Sequence, residues 1–136
     1  MTHQLLLSVL DAQRANATLA GGDLRAAAEH LADLCSERRV LLMAVDNAGE
    51  RIIGAAMTVA EVDLDVHDYT SGFPQGSTCL LVGGHAAGPV RLADAAAAVL
   101  SAGAARVEAA ILGGWPDPVP GVAQIRAFRN SQFCVA

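Results

Sequence analysis

The stretch Gly83–Arg91, GGHAAGPVR, is the part of this chain best suited to chemistry. Small residues there expose backbone N–H groups at Gly84, Ala86, Ala87 and Gly88, the donors that an anion needs. His85 could bind a phosphate or carry a proton near neutral pH. The plainer reading is an exposed loop histidine. Arg91 falls in the first turn of a predicted helix, where a cation opposes the helix dipole, so it could pair with an anion held in the turn. A long side chain bending into solvent is the competing reading. A second group, Asp46-Asn47-Ala48-Gly49 with Glu50, follows an apolar run. Asp46 and Glu50 could hold Mg2+ together with ligand phosphates. Acids gathered at a helix N-terminus account for them more simply. His67 with Asp63, Asp65 and Asp68 has metal-ligand types, but Asp63 and Asp65 alternate as on a solvated strand face. Trp115 and Phe128 could stack on a base, but packing of the tail or a subunit interface explains them better. No Ser-His-Asp or Cys-His arrangement stands out.

Composition narrows the chemistry. All nine basic residues are arginine, so no lysine serves as Schiff base, general base or phosphate clamp, and a Walker-type loop is excluded. The net charge of −5 argues against a nucleic-acid backbone or an anionic membrane as partner. The three cysteines, Cys35, Cys79 and Cys134, are widely spaced without a CxxC and suit a reducing cytoplasm. No signal peptide or membrane span is apparent. A chain of 136 residues, 53% of them hydrophobic, fits one domain, residues 1–136, with its own core.

These residues must be positioned by regular elements. Thr2 to Thr18 has the spacing of a short amphipathic helix, ended by Gly21-Gly22. Asp23 suits the N-cap of a second helix, Leu24 to about Glu37, and Glu37-Arg38-Arg39 marks its solvated exit. Val40 to Val45 (VLLMAV) reads as a strand buried on both faces. Asp46 to Gly49 reads as a loop, and Arg51 to Ala60 as a helix in which Gly54 permits close packing. Val62 to Val66 alternates like a half-exposed or edge strand. After a loop from His67 to Ser77, Thr78 to Val82 reads as a buried strand, with Gly83 to Pro89 as the glycine-rich loop. Val90 to Ala102 is a helix stopped by Gly103. Arg106 to Leu112 is another strand. Gly113 to Gly121 is irregular, and the tail suits either a short helix or a closing edge strand. Such alternation predicts a three-layer α/β fold, a mainly parallel sheet with helices on both faces. Ligands of such sheets lie beyond the carboxyl ends of the strands, which puts Asp46–Arg51 and Gly83–Arg91 on one rim.

The segments VLLMAVDNAGERIIGAAMTVA (40–60) and PQGSTCLLVGGHAAGPVRLADAAAAVLSAGA (74–104) resemble the type I phosphoribosyltransferases. The first is similar to that family's strand, diphosphate loop and helix. The second is similar to its strand and ribose-phosphate loop. The resemblance implies diphosphate contacts at Asp46, Asn47, Ala48 and Gly49. It implies phosphate and ribose contacts at Gly84, His85, Ala86, Ala87, Gly88 and Arg91. The sequence departs from the family at the side chains themselves. The two acidic positions fall on Gly83 and Gly84, the threonine-rich part on Ala86, Ala87 and Gly88, the glycine on Pro89 and the closing hydroxyl on Arg91. The interval 67–77, where the family carries a mobile basic loop, has neither Lys nor Arg.

The resemblance implies a phosphoribosyltransferase-like protein of nucleotide or phosphoribosyl metabolism that binds a phosphorylated ribose or nucleotide at residues 83–91. Transfer would use Mg2+ with a diphosphate ligand, but the missing acidic pair argues against it, since each charged hydrogen bond contributes about 1.5–3 kcal/mol. The alternative expectation is a non-catalytic module, either a ligand sensor or a homodimeric scaffold.

Overall fold

The structure is a computed structural model and describes residues 22–61, 63–67, 72–84, 88–112 and 118–128. Runs of apolar residues form the interior strands, and helices with one apolar stripe cover them. In chain order these are α1 (Gly22–Glu37), β1 (Leu41–Ala44), α2 (Asn47–Val59), β2 (Asp65–Val66), β3 (Thr78–Gly83), α3 (Pro89–Ser101), β4 (Arg106–Leu112) and β5 (Gln124–Phe128). The five strands make one parallel sheet in the order β2-β1-β3-β4-β5. The predicted α/β class is therefore observed, with helices on both faces.

Alternate residues of each strand serve opposite faces. Leu42, Leu80, Val82, Ala110 and Leu112 pack with Ala27, Leu31 and Ile52 of α1 and α2. Met43, Leu81, Ala109 and Ile111 pack with Leu92, Ala96 and Val99 of α3. Leu42, Ile52, Leu81, Leu92 and Ile111 have no exposed surface. Burying one such side chain contributes about 1.5–3 kcal/mol. Buried alanines at 27, 28, 56, 95, 96, 109 and 110 keep helices and strands close.

Glu108 is the one charged side chain that the described core encloses, at 1% exposure. Arg38 grips it as a fork, Nη1 donating to Oε1 at 2.8 Å and Nη2 to Oε2 at 2.6 Å. Arg106 donates Nε to Oε2 at 2.9 Å, and Arg126 Nη2 stands 3.7 Å from Oε1. Arg38 lies at the solvated exit, as expected, and also turns its guanidinium onto this carboxylate.

Several boundaries differ from those the sequence predicts. Helix α1 begins at Gly22, so Asp23 falls inside that helix and not at its cap. Helix α2 starts at Asn47, four residues before Arg51, because Asp46 caps it. Gly54 is exposed, with nothing within 4 Å of where a Cβ would stand, and mediates no packing. Strand β2 is a two-residue edge strand, shorter than 62–66. The tail does form the closing edge strand, β5. The predicted helix at 2–18, Cys134, Trp115 and Asp68 lie outside the described residues. Among the described residues, no helix is long and apolar enough to cross a membrane.

Candidate functional site

The strand order sets the site. From β1 the chain moves to β2 on one side, and from β3 onward it moves to β4 and β5 on the other. Helices α2 and α3 leave the ends of neighbouring strands for opposite faces, which opens a crevice at the carboxyl edge of β1 and β3. The two loops expected on one rim do meet there.

Asp46 holds them together. Its extended backbone (φ −157°, ψ 178°) suits an N-cap, and its Oδ1 accepts from Gly49 N at 2.7 Å. The same carboxylate accepts from Gly84 N across the crevice, at 3.2 Å to Oδ1 and 3.0 Å to Oδ2. Two glycines make this approach feasible. A Cβ on Gly49 would collide with the Val82 carbonyl oxygen, and one on Gly84 with the Ala48 side chain. Of the residues expected to hold diphosphate, Asp46 and Gly49 are hydrogen-bonded to each other. Asn47, Ala48 and Gly49 form the first turn of α2, and Gly49 and Gly84 spend their N–H groups on Asp46. The simpler account of Asp46 and Glu50, acids at a helix N-terminus, matches the structure.

The other half of the rim is the start of α3. Gly88 caps α3 with no side-chain hydrogen bond, Pro89 occupies the first helical position, and no acid stands in the first turn. The first-turn N–H groups of a helix have no intrahelical acceptor, so this end carries partial positive charge. Arg91 reaches across it, its Nη1 donating to the Val45 carbonyl at 3.3 Å. A depression of about 680 Å³ lies here, lined among others by Val45, Gly88, Pro89, Arg91 and Asp94. Asp94, one turn after Arg91, opposes an anion in this depression. His85, Ala86 and Ala87 lie outside the described residues.

Other candidates are not drawn into the crevice. His67 packs its ring against Phe73, centroids 4.1 Å apart. Phe128 is buried in the core and meets His30 edge-on at 5.6 Å. Among the described residues no three His, Cys, Asp or Glu side chains gather to hold a metal ion. For Mg2+ the donors are unsuitable, because the Asp46 carboxylate is already turned onto two N–H groups. Burial pushes the Cys79 thiol up to about 12, and burial followed by the Asp65 charge raises Cys35, so neither is an activated nucleophile. Glu108, lowered to about 2 chiefly by the Arg38 hydrogen bonds, lies near the amino end of β4, away from the crevice.

Two features escape a reading of the sequence, the Asp46–Gly84 link and the Glu108 cluster. A charged residue inside the apolar strand RVEAAIL is the available signal for the second. No family model matches the chain, and no curated protein or solved structure was found to be similar to it.

Proposed function

We propose that this protein binds the phosphate of a phosphorylated ribose or nucleotide at the start of α3 and does not transfer phosphoribosyl groups. The observation that carries this reading is the first turn of α3, which among the described residues holds no acid and no side-chain cap, with Arg91 beside the depression that Val45, Gly88 and Pro89 also line. A helix N-terminus with free N–H groups suits a phosphate, and a guanidinium adds a charged donor. Val45, Pro89 and Ala95 give the depression an apolar side that suits a sugar face.

The same geometry speaks against transfer. A leaving diphosphate needs donors and a metal where α2 begins, and the Asp46 carboxylate takes the N–H groups of Gly49 and Gly84 there. The chain's own carboxylate stands where a ligand's negative charge would have to go. Gly83 and Gly84 bring no carboxylate to the ribose hydroxyls.

Calorimetric titration with ribose 5-phosphate and with phosphoribosyl pyrophosphate, each with and without Mg2+, tests this reading. The expected result is saturable binding of both with similar affinity, no gain from Mg2+, and at least tenfold weaker binding in Arg91→Gln. Absence of heat at millimolar ligand overturns the binding reading. A large Mg2+-dependent preference for the pyrophosphate overturns the reading against transfer.

A further inference from the structure

The three arginines around Glu108 carry more charge than that carboxylate requires. Arg38 alone satisfies both carboxylate oxygens as a fork. Arg106 commits only its Nε to Glu108, and its side chain is 49% exposed. Arg126 stands at 3.7 Å, shares its Nη2 with Gln124 at 3.2 Å, and is 30% exposed. With Glu108 ionised at neutral pH, three positive charges face one negative charge, a surplus of two in a chain whose net charge is −5. Arg106 and Glu108 occupy the first half of β4. Gln124 and Arg126 occupy the facing positions of β5, paired through Glu108↔Gln124 and Ala110↔Arg126. The cluster therefore lies toward the amino ends of the strands, apart from the crevice.

Like charges held this close repel one another, and solvent only partly screens them. The buried carboxylate pins Arg38 and Arg106 by hydrogen bonds, and Gln124 holds Arg126 beside them, so an incoming anion meets donors already ordered. Guanidinium forks match phosphate oxygens, and a phosphomonoester carries about −1.5 to −2 near pH 7, the size of the surplus. A single carboxylate would neutralise half of it.

The geometry points to a second anion site: Arg106 and Arg126, braced by the Arg38–Glu108 fork, bind the phosphomonoester group of a small ligand. Arg38 is a positioning residue here, and the exposed Arg106 and the part-buried Arg126 make the contact. This site stands independently of the crevice reading, since it shares no residue with it.

The test is a residue-resolved NMR titration of the full chain with inorganic phosphate, set against acetate at equal ionic strength. Phosphate is expected to shift the amides of Arg106, Glu108 and Arg126 saturably, with acetate at least fivefold weaker. The double variant Arg106→Gln/Arg126→Gln is expected to raise the dissociation constant at least tenfold. Arg91→Gln is expected to leave these shifts unchanged. Should the double variant fail to fold, Arg126→Gln alone, which loses no short bond to Glu108, is expected to raise it at least threefold. Shifts that follow ionic strength alone, or that persist at full strength in a folded variant, overturn the proposal.

Discussion

Replacing Glu108 by glutamine tests the ion cluster directly. Glu108 is 1% exposed and accepts three hydrogen bonds from two guanidinium groups. Glutamine keeps the shape but loses the charge, and its amide N–H groups face donors. Lowering the carboxyl from 4.5 to about 2 corresponds, at about 1.4 kcal/mol per unit, to about 3 kcal/mol of stability at pH 7. Breaking a buried pair by removing one partner costs about 3–5 kcal/mol, while the half-exposed arginines recover some hydration. We expect Glu108→Gln to lose about 2–4 kcal/mol in urea denaturation at pH 7. The folded value lies below the unfolded one, so the contribution is complete above pH 4.5. It fades as pH falls and is gone once pH drops below about 2. By pH 3 the gap between wild type and variant is therefore expected to narrow by about 2 kcal/mol. A loss under about 0.5 kcal/mol at pH 7, or a gap that stays constant down to pH 3, would refute the reasoning.

Four further outcomes are expected. Gly49→Ala drives a methyl into the Val82 carbonyl and is expected to cost about 3 kcal/mol or more; Gly54→Ala, in the same helix but open to solvent, is expected to add about 0.5–1 kcal/mol in the same denaturation assay. Asp46→Ala removes the cap of α2 and the acceptor of Gly84 N, and is expected to cost about 2–3 kcal/mol by urea titration. Alkylation of the folded protein at pH 8, mapped by mass spectrometry, is expected to leave Cys79 unmodified until denaturant is added, since its thiol is buried and raised to about 12.

The α/β class, the strands at 41–44, 78–83 and 106–112, and the helix at 89–101 are legible in the sequence because each rests on a local pattern. Continuous apolar runs mark strands buried on both faces, and Pro89 and Gly103 bracket a helix. Gly103 takes φ +117°, the left-handed conformation that a helix end favours in glycine. The start of α2 is not legible in the same way, because Asp46 reads equally as a loop residue and as a cap. Gly54 misleads because a glycine letter does not say whether anything approaches it.

The sequence by itself determined which segments between residues 24 and 112 are strand or helix, apart from the start of α2, that the sheet is mainly parallel, and that two loops share one rim. Those outcomes depend on periodicity and on capping residues a few positions apart. Tertiary structure alone decided what the rim residues do. Asp46 meets Gly84 across 38 residues of chain, and Arg38 meets Glu108 across 70. No spacing rule reaches that far. These pairs form because packing the helices on the sheet brings the loop ends within hydrogen-bond distance, where a carboxylate excluded from water takes the nearest donors.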